Sequence, residues 1–289
     1  MSPQQFVPQL TKDGSFTFFS DEFQEAFHSF YGAKQEAEIK FVQPTLIKEI
    51  SQHRNSIRIL DICYGLGYNS AAAMEAIWQV NSRCHIELVA LEISAAVPQQ
   101  AIANNLLSQW RSPIPQLLAE LSQTYSVSRD FFQGRLLLGD ARQTIQQLEA
   151  WQADAIFLDP FSPPKCPQLW TVEFIAKVAL CLAPQGRLAT YSSAAAVRSA
   201  LLLAGLKIGS TEGVGRKSPG TVAAHVEHKL TSLSLQEQEH LQSRASIPYR
   251  DFYLRDSSEG IHELRHQEQQ NSTLESTSQW KKRWLRLNT

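Results

Sequence analysis

The chain has 289 residues, of which 43% are hydrophobic and 19% charged, and its formal net charge is −1. These values are typical of a globular protein with one large core and exclude a disordered chain. No apolar run approaches the roughly 18 residues that span a bilayer, and the first ten positions are polar and rich in proline, so we expect no membrane segment and no signal peptide. The near-neutral charge excludes a global basic field for nucleic acid, so such contacts would need local patches.

Cysteine usage indicates a reducing compartment. Cys63, Cys84, Cys166 and Cys181 are scattered without a C-x-x-C pair. We therefore expect buried free thiols in the cytoplasm and no metal site. We expect Cys63 and Cys166 to border the functional site.

The amino-terminal segment combines a turn signal with many aromatic residues. Asp13-Gly14 predicts a turn beside a short strand at 16–18, followed by a loop or short helix. Polar residues are closely spaced among the aromatics, namely Glu25, His28, Ser29 and Glu36. This pattern favours a substrate-side segment over a simple solvated face, although a lid that only covers the core would look similar. An amphipathic helix is predicted next, over 43–53.

A buried strand, a glycine turn and a helix follow in succession. Residues 57–62 are mostly apolar without helical period, which indicates a strand buried on both faces of a parallel sheet. Gly65 and Gly67 then allow a ligand to approach the backbone, and a helix over 69–80 directs its free N–H groups there. The arrangement fits NAD, FAD or S-adenosylmethionine.

Acidic residues end the next three predicted strands, at Glu92, Asp140 and Asp159. Glu92 is placed to accept hydrogen bonds from ribose hydroxyls, and Asp140 can reach the exocyclic amine of an adenine. Each acid alone could be a helix N-cap. Together they indicate one binding edge, and the acids after the third and fourth strands favour a methyltransferase over a dinucleotide enzyme.

The fourth strand ends in Asp159-Pro160-Phe161-Ser162, which resembles the D/N-P-P-Y/F motif of methyltransferases acting on amino nitrogens. Asp159 is our candidate for orienting an amine and accepting its proton, unless it is only a strand-end cap. Phe161 would pack on a planar substrate. Two clusters of basic residues could bind phosphates or simply form a solvated rim. The first cluster is Lys165, Arg216 and Lys217. The second is Lys281, Lys282, Arg283 and Arg286.

Strands and helices continue to alternate, which predicts a doubly wound parallel sheet. Residues 106–133 interrupt the alternation and read as an insertion at a sheet edge, and the last two strands, near 207–211 and 222–229, form a hairpin. The predicted fold class is α/β, a Rossmann-like, seven-stranded, mostly parallel sheet with one antiparallel strand, as in class I S-adenosylmethionine-dependent methyltransferases. We expect three parts: a hairpin and substrate-side segment (1–42), the methyltransferase domain (43–231) and a carboxy-terminal extension (232–289) with a helix over 257–270 and a frayed end.

Four segments together resemble the MnmC-like methyltransferases, the methyltransferase half of the tRNA 5-methylaminomethyl-2-thiouridine biosynthesis enzyme. They are T-F-F-S-D-E-F-Q-E-A-F-H-S-F-Y-G-A-K-Q-E-A, L-D-I-C-Y-G-L-G-Y-N, L-D-P-F-S-P-P-K-C-P-Q-L-W-T and G-V-G-R-K-S-P-G-T-V-A. The resemblance implies S-adenosylmethionine-dependent methylation of an aminomethyl group on the wobble uridine of tRNA.

The resemblance also assigns roles to residues of this chain. The cofactor set is Asp61, Gly65, Gly67, Asn69, Glu92, Gly139, Asp140 and Ala141. The catalytic loop comprises Asp159, Phe161, Ser162 and Pro163. The substrate side comprises Glu25, His28 and Glu36. We add Ser29 beside them, and Lys165, Arg216 and Lys217 from their expected place on the same carboxyl edge.

The chain departs from the family pattern at two positions: Cys63 stands where a glycine is usual, and Ser218-Pro219 lies in a loop that is usually more basic. No second dinucleotide fingerprint follows, so we expect a stand-alone form without the FAD oxidase half, with another enzyme supplying the aminomethyl substrate. Two alternatives stay open at this point. One is a methyltransferase of the same fold acting on a small amine, and the other is a noncatalytic S-adenosylmethionine- or tRNA-binding module.

Overall fold

The computed structural model describes residues 5–213 and 219–287. Two small hairpins come first. Asp13 and Gly14 lie in the loop of the first, as the sequence predicts. The hairpins are β1 (Gln9–Leu10) with β2 (Phe16–Thr17), and β3 (Phe19–Ser20) with β4 (Glu25–Ala26).

A single large sheet forms the centre of the molecule, with strand order β11-β12-β10-β9-β5-β6-β8-β7. Its strands are β5 (Ser56–Ile62), β6 (His85–Glu92), β7 (Ser126–Arg129), β8 (Phe132–Leu138), β9 (Ala153–Leu158), β10 (Leu182–Thr190), β11 (Lys207–Ser210) and β12 (Thr221–Ala224). The five neighbours from β10 to β8 are parallel, whereas β12 is antiparallel to β10 and to β11. The prediction of a class I methyltransferase sheet with an antiparallel strand is confirmed.

The prediction of seven strands was one too few. The additional strand is β7, which arises within the insertion and pairs antiparallel with β8 at the sheet edge. Its residues, Ser126 to Arg129, are mostly polar and exposed, with only Val127 buried. A four-residue edge strand with one apolar side chain has too little pattern to be recognised from sequence.

Helices cover both faces of the sheet. They are α1 (Ala33–Glu36), α2 (Gln43–Thr45), α3 (Ile47–Ser51), α4 (Tyr68–Val80), α5 (Ala96–Ala103), α6 (Ile114–Thr124), α7 (Ala141–Thr144), α8 (Val172–Leu180), α9 (Ala195–Leu203), α10 (Leu235–His240), α11 (Ser258–Asn271) and α12 (Thr277–Leu287), with a π-helical segment at Ala37–Val42 and 3-10 turns at Ile145–Leu148, Pro167–Trp170 and Arg244–Ser246. No helix within 5–213 or 219–287 is long and apolar enough to cross a membrane.

Two expectations about helices were wrong. The single helix expected over 43–53 is divided at Leu46, whose φ of 55° lies in the left-handed region, and helical structure already begins at Ala33. The carboxy-terminal end expected to fray forms α12, where Trp280 is buried and stacks on His240 at 4.4 Å. That stacking comes from a distant part of the chain, so local polarity did not reveal it.

Side-chain alternation along the strands divides the core into two layers. On β5, Ile57 and Ile59 face the layer that contains α4 and the amino-terminal segment, whereas Leu60 and Ile62 face the layer that contains α8 and α9. All four are fully buried, as expected for a strand covered on both faces. The register pairs Ile62 with Leu91 on β6 and with Leu158 on β9, so these strands end level with one another. The residues that follow them therefore meet at one edge.

Candidate active site

The glycine turn after β5 is a tight reversal into α4. Cys63, Gly65 and Gly67 have φ values of 66°, 56° and 82°, all in the left-handed region. A Cβ on Gly67 would lie 2.6 Å from the Tyr64 hydroxyl and would have to adopt a left-handed φ of 82°, so glycine is strongly favoured there. Cys63 holds its left-handed conformation despite its side chain, at a cost of roughly 1–2 kcal/mol. The backbone N–H groups of Cys63 and Tyr64 both donate to the Leu91 carbonyl at 3.0 Å, and the turn closes with this cysteine in place.

Glu92 lies directly beside this turn. Its carboxylate accepts hydrogen bonds from the backbone N–H of Gly65 at 2.8 Å and of Ser94 at 3.0 Å. Burial raises the pKa of Glu92, and these backbone N–H groups oppose that rise. The next residue, Ile93, lines the same cavity and is 71% exposed. A carboxylate followed by an uncovered apolar side chain can hold a hydroxylated sugar with a flat ring beside it.

A second acid, Asp61, is fully buried at the end of β5. Burial raises its pKa to about 7, although the Ser70 hydroxyl, which donates to Asp61 at 2.6 Å, opposes that rise. The neighbouring Asn69 donates through its side-chain amide to Asp159 at 2.9 Å. Its own side-chain oxygen is buried and has no hydrogen-bond partner within the described residues. The first turn of α4 is therefore linked directly to the loop after β9.

Asp140 after β8 has the N-cap role that the sequence left open. It caps α7 by accepting from the backbone N–H of Arg142 at 2.9 Å, and it forms an ion pair with the Arg142 guanidinium at 2.7 Å. Arg142 also pairs with the buried Asp251 at 2.7 Å. The carboxylate of Asp140 still lines the cavity beside Gly139 and Ala141. The same side chain therefore caps α7 and remains available for binding.

The loop after β9 is held from both sides. Tyr191 donates its hydroxyl to the Pro160 carbonyl at 2.9 Å, and Trp170 donates its indole N–H to the Phe161 carbonyl at 2.8 Å. The ring of Phe161 stacks on Phe23 at 4.4 Å and meets Phe27 edge-on at 5.0 Å. The loop is thus fixed by the sheet on one side and by the amino-terminal segment on the other.

Glu25 in the second hairpin holds Ser162. Its carboxylate accepts from the Ser162 backbone N–H at 2.9 Å and from the Ser162 hydroxyl. The sequence predicts Glu25 on the substrate side and Ser162 in the catalytic loop. The structure joins them across 137 residues of sequence, a contact that no local pattern could predict.

His28 lies between β2 and α4. Its backbone N–H donates to the Thr17 hydroxyl at 3.0 Å, and its ring stacks on Tyr68 at 5.1 Å. Burial lowers the pKa of His28 to about 4, with Asp13 opposing that fall, so the ring is neutral at physiological pH. Glu36 accepts from the backbone N–H of Ser29 at 2.7 Å. Both pairs close the wall formed by the amino-terminal segment.

These elements enclose one cavity of about 180 Å³ at the carboxyl edge of the sheet. Twelve of the predicted site residues line it: Glu25, His28, Ser29, Glu36, Gly65, Glu92, Gly139, Asp140, Ala141, Asp159, Phe161 and Ser162. Cys63 and Cys166, expected to border the site, also line it. All four cysteines are free thiols, and burial raises their pKa values.

Several predicted residues lie outside the cavity wall. Asp61 is hydrogen-bonded to Ser70 at the end of β5, Gly67 lies within the turn, and Asn69 reaches the site through its hydrogen bond to Asp159. Pro163 is buried within the loop, and Lys165 is exposed. Arg216 and Lys217 lie outside the described residues.

Several lining residues were not predicted from the sequence, including Phe6, Glu22, Phe23, Phe27, Tyr64, Ile93, Ser94, Gln168 and Tyr191. The aromatic richness of the amino-terminal segment signalled such a wall without showing which rings would form it.

The charge of the cavity wall has one sign. Six carboxylates line it, from Glu22, Glu25, Glu36, Glu92, Asp140 and Asp159. Among the described lining residues there is no lysine or arginine. S-adenosylmethionine carries a sulfonium and an ammonium group, so this donor set fits it, with Glu92 placed for the ribose hydroxyls and Ile93 for the adenine ring. Fold and site together define a class I S-adenosylmethionine-dependent methyltransferase.

Comparisons with known proteins identify the family. Residues 97–226 match the model of a family described as S-adenosyl-L-methionine-dependent methyltransferase. The crystal structure of MNMC2 from Aquifex aeolicus superimposes with a TM-score of 0.82 at 32% identity, covering 94% of this chain and 87% of that one. The chain belongs to the MnmC-like methyltransferase family, and S-adenosylmethionine is its cofactor.

Two curated relatives extend the comparison. An uncharacterized protein of Methanocaldococcus jannaschii is 29% identical over 83% of this chain and 66% of its own length. The tRNA 5-methylaminomethyl-2-thiouridine biosynthesis bifunctional protein MnmC of Ralstonia nicotianae is 31% identical over 77% of this chain and 35% of its own length. The chain therefore spans about a third of the length of this bifunctional relative.

Proposed function

We propose that the protein methylates the amine nitrogen of an aminomethyl group on the wobble uridine of tRNA. The observation that carries the proposal is the acidic cavity, because a wall of six carboxylates without a described lysine or arginine favours a cationic amine over an acidic or neutral acceptor. The names of the bifunctional relatives refer to the same modification. A tRNA substrate places the activity in the cytoplasm.

The acceptor amine has to be deprotonated before it reacts. An alkylamine has a pKa of roughly 10 and is almost wholly protonated at neutral pH. Asp159 is positioned by a hydrogen bond from Asn69 and lines the cavity, so it orients the amine and takes its proton. S-adenosylmethionine supplies an electrophilic methyl group. Productive transfer requires the nitrogen to be held about 3–3.5 Å from that carbon.

The aromatic wall serves the base that carries the amine. Phe161 is braced by Phe23 and Phe27, and its backbone carbonyl is fixed by Trp170. A braced ring beside Asp159 can pack on a uracil and exclude water from the reacting nitrogen. Glu25 holds the following residue, Ser162, and so completes the fixed geometry of the loop.

The test is transfer of labelled methyl from S-adenosylmethionine into tRNA isolated from cells that lack the wobble methyl group. We compare the native protein with Asp159→Asn and with Asp154→Asn, a matched control at the opposite end of β9. Label should enter an aminomethyl uridine with the native protein and the control. It should fall by about a hundredfold or more in Asp159→Asn.

A small amine acceptor is the second candidate, because the acidic cavity would suit it equally and the net charge of −1 gives no general affinity for RNA. Normal cofactor binding without label in tRNA would exclude the tRNA proposal. Label in a panel of small amines would then establish the alternative.

A further inference from the structure

Two aromatic rings on the carboxy-terminal side of the site face solvent. Phe252 is 57% exposed and Tyr253 is 73% exposed, and they are consecutive in one turn. Neither ring contributes to the core clusters or to the cavity wall. Neighbouring exposed aromatic rings on an ordered turn often mark a binding surface.

The backbone beneath these rings is held firmly. The fully buried Asp251 accepts from the backbone N–H groups of Arg255 at 3.0 Å and Asp256 at 3.2 Å, and its own N–H donates to Glu173 at 2.8 Å. Leu254 is buried with a left-handed φ of 55°. The chain thus turns its apolar leucine inward and its two rings outward, so the exposure of the rings is set by the fold.

An arginine makes a cation–π contact with each ring. The Arg250 guanidinium carbon lies 5.1 Å from the centre of the Phe252 ring, and that of Arg255 lies 5.2 Å from the centre of the Tyr253 ring. Arg250 also pairs with Glu173 at 3.1 Å. Aromatic rings stack on unpaired bases, and guanidinium groups both stack on bases and bind phosphates. The pattern suits a single-stranded nucleic acid better than a wholly apolar partner.

Two side chains of α7, Arg142 and Gln143, connect the turn to the cavity wall. Arg142 pairs with Asp251 in the turn and with Asp140 in the cavity wall, both at 2.7 Å. Gln143 donates to the Leu254 carbonyl at 2.9 Å, which adds a second contact between α7 and the turn. The turn that carries the two rings is therefore anchored to α7 and to Asp140, which lines the cavity.

We propose that Phe252 and Tyr253, with Arg250 and Arg255, form a stacking platform for unpaired bases that flank the reacting nucleotide of the RNA. The proposal rests on the proposed function, because it concerns the RNA that carries the amine. A nucleotide whose base enters the cavity must leave the stack of its neighbours. Those neighbours expose their faces at the cavity mouth, where the platform can receive them.

The experiment measures binding of a synthetic anticodon stem-loop RNA by fluorescence anisotropy, with the cofactor affinity measured in parallel. The variants are Phe252→Leu and Tyr253→Leu, which keep apolar area and remove the ring. Tyr253→Phe keeps the ring, and Phe131→Leu removes an exposed ring between β7 and β8, at the opposite end of β8 from Asp140. We expect each platform leucine variant to weaken RNA binding by about 5- to 150-fold. Tyr253→Phe, Phe131→Leu and cofactor affinity should stay within about threefold of native.

The outcomes separate the platform from the proposed function. Unchanged RNA binding in both leucine variants, with methyl transfer into RNA intact, would contradict the proposed stacking platform and would leave the proposed function supported. Ring-dependent RNA binding without methyl transfer supports the platform and contradicts the function. Ring-dependent binding to anionic phospholipid vesicles in place of RNA would show that the platform recognises a membrane surface and would overturn the proposal.

Discussion

Glu25→Ala is the most informative single change in the site, because it should release the catalytic loop without removing any loop residue. The carboxylate accepts two hydrogen bonds from Ser162, one from the backbone N–H at 2.9 Å and one from the hydroxyl. Hydrogen bonds to charged groups contribute about 1.5–3 kcal/mol each. Because Glu25 is only half-buried, we take the low end for both, which gives about 3 kcal/mol, or roughly a hundredfold in rate.

The assay is single-turnover methyl transfer at saturating cofactor and RNA, with cofactor affinity measured by calorimetry. Glu25→Ala should lower the rate roughly a hundredfold, while cofactor affinity changes by less than about threefold, since Glu92 and the glycine turn are untouched. Ser162→Ala removes only the hydroxyl bond and should cost roughly tenfold. In the Ser162→Ala background, Glu25→Ala should cost only about another tenfold, so the two effects are coupled.

Two results would contradict this reasoning. A Glu25→Ala rate within threefold of native would mean that the loop holds its geometry without the carboxylate. An equal hundredfold loss from Glu25→Ala in both backgrounds would mean that the glutamate acts on the substrate and that its bonds to Ser162 are incidental.

Three further changes test other parts of the site. Glu92→Gln should weaken cofactor binding by about 10- to 100-fold, whereas Glu87→Gln on the same strand should leave it unchanged; calorimetry measures both, and equal affinities would contradict the ribose assignment. Gly67→Ala should abolish cofactor binding and should destabilise the protein by more than Gly14→Ala. Both glycines have a φ of 82°, but a Cβ on Gly14 would meet open space. Denaturant unfolding compares the two variants, and we expect a loss of about 1–2 kcal/mol for Gly14→Ala. The lowered pKa of His28 means that its contribution to the free energy of unfolding is present above pH 6.5 and is lost as pH falls toward 4, by at most about 3 kcal/mol. His28→Phe should flatten the dependence of the unfolding free energy on pH in this range. An unchanged dependence would assign the effect to other groups.

The strand ends were the most predictable part of the molecule. Apolar runs without helical period gave β5, β6 and β9, and the residues that end them, such as Glu92 and Asp159, meet at one edge because parallel strands share a direction. These assignments needed only local pattern and the geometry of a parallel sheet. The same information could not give β7, whose edge position leaves it polar.

Contacts over long sequence separations account for the rest. Arg142 reads as an ordinary helix residue, yet it pairs with Asp140 two positions away and with Asp251 across 109 residues. Asp140 was chosen as a ligand-binding acid, and nothing nearby showed that it would also be held by an arginine. Phe23 and Phe27 lie among many phenylalanines, and only the folded chain shows that these two contact Phe161.

The acidic wall also bears on how the cofactor product leaves. The methyl donor enters with a positive sulfur, and S-adenosylhomocysteine leaves with a neutral one, so the attraction between that sulfur and the surrounding carboxylates is lost in the reaction itself. In the proposed reaction the positive charge passes to the amine nitrogen, and the methylated amine, with a pKa of roughly 10, keeps that charge at neutral pH. The six lining carboxylates therefore attract S-adenosylmethionine more strongly than S-adenosylhomocysteine. This difference favours the replacement of the spent cofactor by a fresh one after each reaction.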